Sequence, residues 1–210
     1  MVVTAPRPRV DDIPLGRIRR LPKPGTATEA DVIRLLHGPE RRICELVDGT
    51  LVEKVMGVRE SFFASYLSSF IWAYLKTNDI GMCAGADGPI RMIRGNVRMP
   101  DVSFFSWESL PDGEMEDAKI WETFPALAVE VLSESNTASE IARKIDELFE
   151  GGTQLIWVFD PREQTTVVYT APDLFTELAP HDVLTGEPVL PGFRLPLAEL
   201  FAKGQPRHRR

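Results

Sequence analysis

Asp101, Glu130 and Lys144 are the side chains whose types and spacing point to chemistry. Asp101 closes the stretch Val97-Arg98-Met99-Pro100-Asp101. Glu130 follows 29 positions later inside Ala128-Val129-Glu130-Val131-Leu132, and Lys144 stands 14 positions after it. All three are set in or beside segments otherwise built for burial, where an unpaired carboxylate costs roughly several kcal/mol. Two carboxylates and one ammonium so placed suggest a metal site, an ion-pair network, or both. In a metal site, Mg²⁺ takes hard oxygen ligands from one or two carboxylates and keeps positions open for water and phosphate. The ion then polarises a phosphoryl oxygen and acidifies water, while a lysine orients the attacking water and offsets developing charge. In the other reading, Glu130 and Lys144 form a structural ion pair and Asp101 is an edge residue. A Pro-Asp dipeptide is common and does not separate the two. The metal reading requires both carboxylates on the same face of the sheet.

The elements that must position these residues are legible from periodicity. Ala126 to Leu132 is short and almost wholly apolar, as in a strand buried on both faces; alternation places Leu127, Val129 and Val131 on one face and Ala128, Glu130 and Leu132 on the other. Thr137 and Glu140 form a capping box for a helix reaching about Glu150, with Ile141, Ile145, Leu148 and Phe149 as its apolar stripe. Lys144 lies at the edge of that stripe, so its stem can rest on the sheet while its amine reaches past it. A strand from about Val97 through Trp107 carries Asp101; Pro100 within it cannot donate to a ladder and belongs at an edge, a bulge or a strand start. An irregular strand from about Ala84 to Ile93 precedes it.

Upstream, Ile43 to Val55 reads as a hairpin around Asp48-Gly49, with Leu46 opposite Leu51 and Glu45 opposite Val52. Glu45 is then in the body of a strand and, given how rarely acids are buried, is expected to face solvent. Arg59 to Lys76 is the strongest helix, its aromatic and aliphatic residues repeating at 3–4 spacing. Glu60 in its first turn either complements the helix dipole or contributes an acid to the site. A short helix spans Thr28 to His37, a second buried strand Gln154 to Phe159, and hairpin strands Thr165 to Thr170 and Phe175 to Ala179. The order predicts a mixed α/β fold, a central sheet flanked by helices with added β-hairpins, in one domain over residues 26–201.

Composition narrows the function classes. A 210-residue chain buries an adequate core without staples. Cys44 and Cys83 are isolated, and His37, His181 and His208 have no ligand spacing, so neither a disulfide framework nor a zinc site is expected. No apolar run reaches membrane-spanning length, and the N-terminus lacks the apolar core of a signal peptide; a cytoplasmic protein without membrane attachment is expected. The net charge of −7 argues against coating nucleic acid through bulk electrostatics, though not against a nuclease. Residues 1–25 contain five prolines and six Lys/Arg against two Asp, which reads as a flexible basic arm, either unstructured or touching nucleic acid. Residues 202–210 form a short basic tail with the same two readings.

Several stretches together resemble a known family. They are Glu45-Leu46-Val47-Asp48-Gly49, Arg59-Glu60-Ser61, Gly85-Ala86-Asp87-Gly88, Arg98-Met99-Pro100-Asp101-Val102, Val129-Glu130-Val131-Leu132-Ser133 with Asn136-Thr137, Ala142-Arg143-Lys144, Trp157-Val158-Phe159-Asp160-Pro161 and Leu190-Pro191-Gly192-Phe193. Spanning roughly residues 28 to 201, they resemble the Uma-type family of bacterial candidate endonucleases, within the PD-(D/E)XK restriction-endonuclease-like superfamily. The resemblance implies a restriction-endonuclease-like core with Asp101, Glu130 and the backbone carbonyl of Val131 as ligands of Mg²⁺ or Mn²⁺. It implies Lys144 as a lysine moved onto the following helix, since Leu132 stands where the superfamily places it. Glu45 and Glu60 match auxiliary acids, and Leu148 replaces a tyrosine often found four residues after the helix lysine.

The leading expectation is a Mg²⁺-dependent nuclease cutting DNA or RNA through metal-activated water, with nucleic acid as partner and a homodimer as the common superfamily arrangement. The alternative is a catalytically inactive binding or regulatory module in which Asp101, Glu130 and Lys144 persist as an ion network. A weaker third is a metal-dependent hydrolase acting on a smaller phosphate compound.

Overall fold

A computed structural model describes residues 13–204. Helix α1 (Glu29–His37) is followed by the hairpin β1 (Cys44–Val47) and β2 (Thr50–Glu53), then by the long helix α2 (Val58–Leu75). Strands β3 (Gly81–Ala84), β4 (Ile90–Arg91), β5 (Val97–Arg98), β6 (Val102–Ser106) and β7 (Leu127–Val131) lead to helix α3 (Ala138–Glu150). The chain continues through β8 (Leu155–Asp160), β9 (Thr165–Ala171), β10 (Leu174–Leu178), β11 (Val183–Gly186) and β12 (Leu190–Pro196), and closes in α4 (Leu197–Ala202). No helix among the described residues is long and apolar enough to cross a membrane.

The strands form a six-stranded sheet in the order β10-β9-β8-β7-β6-β3, a four-stranded sheet β2-β1-β5-β4, and the β11-β12 pair. In the large sheet β7 and β8 run parallel, joined by α3 as their crossover, and the other pairings are antiparallel. The mixed α/β fold expected from the element order is therefore present. Strand alternation on β7 divides the core as predicted. Leu127, Val129 and Val131 pack with α2, α4 and β12 through Leu67, Ile71, Phe193 and Phe201. Ala128 packs on the other face with Ile145 and Leu148 of α3, and Glu130 shares that face. A third cluster joins α1 to the hairpin through Val32, Leu35, Leu46, Leu51, Val97 and Met99.

The hairpin has the expected register, Glu45 opposite Val52 and Leu46 opposite Leu51. Asp48 and Gly49 both adopt positive φ, +47° and +68°, as a two-residue hairpin turn requires. Gly49 is needed on a second ground, because a Cβ there would sit 2.8 Å from the Gly25 carbonyl.

Three expectations are corrected. The strand read from Val97 through Trp107 is two strands in different sheets, β5 in the small one and β6 in the large one. The break falls at Met99-Pro100-Asp101, where Pro100 has no N–H to continue a ladder. The strand read from Ala84 to Ile93 likewise divides into β3 and β4, separated by a turn in which Gly88 N–H donates to the Gly85 carbonyl at 3.3 Å. The basic arm is docked over its described portion, residues 13–25. Ile13 packs against Val47 and Val52, and Arg19 N–H donates to the Leu51 carbonyl at 3.0 Å. Arg17 is buried and grips Glu140 of α3 with two hydrogen bonds of 2.7 and 2.8 Å, while its Nε donates to the Glu53 carbonyl at 2.9 Å. Its planar fork matches a carboxylate in a way a lysine cannot, and this overrides the disorder that proline content alone suggests. The rest of the arm and residues 205–210 of the basic tail lie outside the described residues.

Arg17→Ala leaves the Glu140 carboxylate buried without its partner, so the expected loss is about 3 kcal/mol of stability in urea unfolding. Arg17→Lys should recover only part of it. A loss below about 1 kcal/mol, the usual range of a surface pair, would show the strap to be unimportant.

Candidate active site

The three sequence-selected residues converge. Asp101, Glu130 and Lys144 line one cavity of about 30 Å³, with Glu45, Lys54, Glu60 and Val131 also on its walls; that volume holds about one water molecule. Asp101 stands where the chain passes from the small sheet to the large one. Its N–H donates to the Val129 carbonyl at 2.9 Å, and its Oδ2 accepts from Val131 N–H at 2.7 Å. One side chain, just before the start of β6, thus takes up a backbone donor of β7. Glu130, mid-strand on β7, projects from the α3 side of the sheet. Lys144 reaches down from α3 and touches Glu130 Oε1 at 2.7 Å and Glu45 Oε1 at 2.8 Å.

Two oxygens are distinctive. Asp101 Oδ1 and Glu130 Oε1 are buried and receive no hydrogen bond. Each instead lies 2.7 Å from an ammonium group, Lys54 at Asp101 and Lys144 at Glu130. These are charge contacts rather than aligned hydrogen bonds. Lys54 Nζ is held further by the carbonyls of Met99 (2.5 Å) and Ala86 (3.3 Å), and Lys144 Nζ by that of Met99 (3.4 Å). The Met99 carbonyl therefore serves both lysines.

Glu45 corrects the expectation that it faces solvent. It is buried, and Oε2 accepts from Arg98 at 3.0 Å while Oε1 accepts from Met99 N–H at 2.9 Å. Arg98 is 1% exposed and its Nε donates to Glu147 of α3 at 2.6 Å. Glu147 also accepts from Asn96 and Arg143, each at 2.8 Å, and Arg143 makes two bonds of 2.7 and 2.6 Å to Asp48 in the hairpin turn. Charges of alternating sign thus run from the turn surface to the cavity. Glu60 stands in the first turn of α2 with its carboxylate beside Gly57, and it is among the residues that line the cavity. Val131 meets the site through its N–H.

Lys54, Arg98 and Glu147 are the residues that sequence reasoning missed. Hairpin alternation carries a signal for Lys54, because it pairs beyond Glu53 on the same face as Glu45 and Val52. Glu147 follows Lys144 by three residues and Arg143 by four, the spacings that share a helix side.

Burial acts to raise the pKa of Glu45 and of Glu130, and neighbouring charge decides the outcome. For Glu45, burial is outweighed by Lys144, Arg98 and Lys54, and the carboxyl is held well below the usual range. For Glu130, burial prevails over Lys144, with Asp101 adding repulsion, and its pKa is pushed up to about 7. Lys144 is held above its ordinary value, because Glu130, Glu45 and Asp101 together overcome its burial.

The rise at Glu130 sets a sign. Between the ordinary value of 4.5 and about 7 the folded chain holds a proton that the unfolded chain has released. Its contribution to stability is therefore present in full below 4.5 and is lost as pH climbs through about 7. Glu130→Gln should gain stability relative to the unsubstituted chain between pH 5 and pH 8, measured by urea unfolding at both values. Parallel pH dependence of the two proteins would contradict the assignment.

The donor set suits a hard divalent cation. Asp101 and Glu130 bring buried carboxylate oxygens to one cavity, the ligand type of Mg²⁺ or Mn²⁺, and each is paired with a lysine at 2.7 Å. Among the described residues no cluster of three or more His, Cys, Asp or Glu side chains is arranged to hold a metal. Cys44 and Cys83 are buried and free.

Residues 30–198 match the model of the Uma2 family, described as "Putative restriction endonuclease". The fold is similar to a crystal structure described as a "putative nuclease belonging to DUF820" from Anabaena variabilis ATCC 29413, with a TM-score of 0.68 and 24% identity over 77% of this chain and 90% of that one. No curated protein matches the chain.

Proposed function

Since the chain belongs to the Uma2 family of restriction-endonuclease-like proteins, we propose that it is a divalent-metal-dependent nuclease that hydrolyses phosphodiester bonds at the Asp101–Glu130–Lys144 site. The observation that carries this reading is the convergence of two buried carboxylates, Asp101 and Glu130, on one cavity beside two ammonium groups. Asp101 and Glu130 would hold Mg²⁺ or Mn²⁺. When bound, the ion polarises a phosphoryl oxygen and acidifies water.

The chain's own groups account for the remaining chemistry. Val131 N–H fixes one oxygen of Asp101, which leaves the other directed at the cavity. Lys144 supplies positive charge where charge builds on a phosphate, and its two carboxylate contacts hold the amine in place. Lys54 brings a second ammonium to the same cavity and is the more exposed of the two, 11% against 6% for the side chains. Glu45, gripped by Arg98, positions Lys144. Leu132 leaves the usual strand position of the lysine empty of charge, and Lys144 reaches the same acids from the helix.

A second reading has its own support. Lys54 and Lys144 already neutralise Asp101 and Glu130 at 2.7 Å, which is what an inactive fold with a structural ion network would show. Mn²⁺ titration by calorimetry separates the two. The unsubstituted protein should bind about one ion, and Glu130→Gln should weaken binding by at least about tenfold. On mixed DNA and RNA substrates, Asp101→Asn and Lys144→Met should each lower cleavage by about a hundredfold or more. A folded protein that binds neither Mn²⁺ nor Mg²⁺ and cuts nothing is the ion-network module instead.

A further inference from the structure

A groove of about 550 Å³ runs along α2 and ends at Asp101, its far wall formed by the Gly85-Ala86 turn. The helix side of this groove carries the row Ser61, Ser65, Ser68, Trp72 and Lys76, with Ala64, Ser69 and Ala73 beside it; the row follows the three- and four-residue steps that keep side chains on one face. From Ser61 to Lys76 the stripe extends about 22 Å at 1.5 Å per residue.

Its composition is not that of an ordinary solvated helix face, which carries charges of both signs. Here one charge, Lys76, terminates a row of small hydroxyls, and an indole 45% exposed stands among them. Serine hydroxyls are common partners of phosphate and sugar oxygens. An exposed tryptophan offers a plane on which any base can stack. A groove with one lysine, in a chain of net charge −7, cannot draw its affinity mainly from phosphate neutralisation. Stacking and hydroxyl contacts must then carry binding, and stacking on a side chain requires a base already out of a duplex.

We propose that this groove is a subsite for single-stranded nucleic acid, with a base stacked on Trp72 and the backbone lying along the serine stripe toward Asp101. The inference rests on the nuclease reading and gives it a substrate form: single strands or unpaired segments, in preference to duplex. The groove opens directly on Asp101, so a strand lying in it delivers a phosphate to the site.

Fluorescence anisotropy of labelled oligodeoxythymidylate, oligouridylate and a duplex of equal length, in EDTA so that nothing is cut, tests the subsite. The unsubstituted protein should prefer the single strands, and the two labelled sugars tell DNA from RNA. Trp72→Ala should weaken single-strand binding by about tenfold, and Trp72→Phe should retain most of it. Phe175→Ala, which removes another exposed aromatic on the distant edge strand β10, should change nothing; thermal melts confirm that each variant is folded. The inference is overturned if duplex binds as well as single strand, or if Trp72→Ala binds as tightly as the unsubstituted chain. If the protein cleaves nucleic acid while Trp72→Ala is silent, the subsite alone is wrong. If it neither binds nor cleaves any form, the nuclease reading falls with it.

Discussion

Buried charge is the constraint around which this fold is assembled. Glu45, Arg98, Asp101, Glu130, Lys144 and Glu147 are all nearly inaccessible to solvent, and each alone would cost several kcal/mol, roughly, to bury. They are tolerated because they alternate in sign and arrive from different elements. β1 brings Glu45, β5 brings Arg98, β7 brings Glu130, and α3 brings Lys144 and Glu147. Loss of one member exposes the next to an unpaired neighbour, so the packing of α3 on the large sheet and the placement of the small sheet are solved together. Apolar packing decides that α3 lies on the sheet; the charges decide at what depth and in which rotation.

The same arrangement makes the site chemically asymmetric. Glu45 is surrounded by cations and stays ionised, whereas Glu130, one contact further along, is driven toward the neutral form by burial, with repulsion from Asp101 added. Two acids on the same lysine thus differ in character because of what lies on their far sides. A divalent cation held by Asp101 and Glu130 would offset the repulsion that Asp101 adds to the effect of burial.

Much of this was legible in the sequence, and the failures have physical reasons. Strand alternation placed Glu130 on the α3 face, the helix-edge argument placed Lys144 over it, and the Asp48-Gly49 turn set the hairpin register. Glu45 was misread because a rule about single acids cannot see that Arg98 and Lys144 come to meet it from two other elements. Asp101 was read inside one strand, while Pro100 ends one sheet's strand and begins the approach to the other's; a missing donor signals a break but not a change of sheet. Arg17 was assigned to an arm because proline and basic content describe local stiffness and charge, whereas its partner Glu140 is 123 residues away. In each miss the deciding contact was long-range, and local pattern holds no record of it.

The passage of the chain between sheets at Met99-Pro100-Asp101 has a consequence for how this architecture can diversify. The carboxylates of Asp101 and Glu130 belong to the large sheet, but Glu45, Arg98 and Lys54 come from or beside the small one, and the Met99 carbonyl at the seam holds both lysines. The small sheet is therefore not an ornament that a shorter relative could shed. A chain reduced to the six-stranded sheet and its helices would keep Asp101, Glu130 and Glu147 and lose Lys54 and Arg98, the cations that face Asp101 and Glu147. The seam admits change only when both sheets change together.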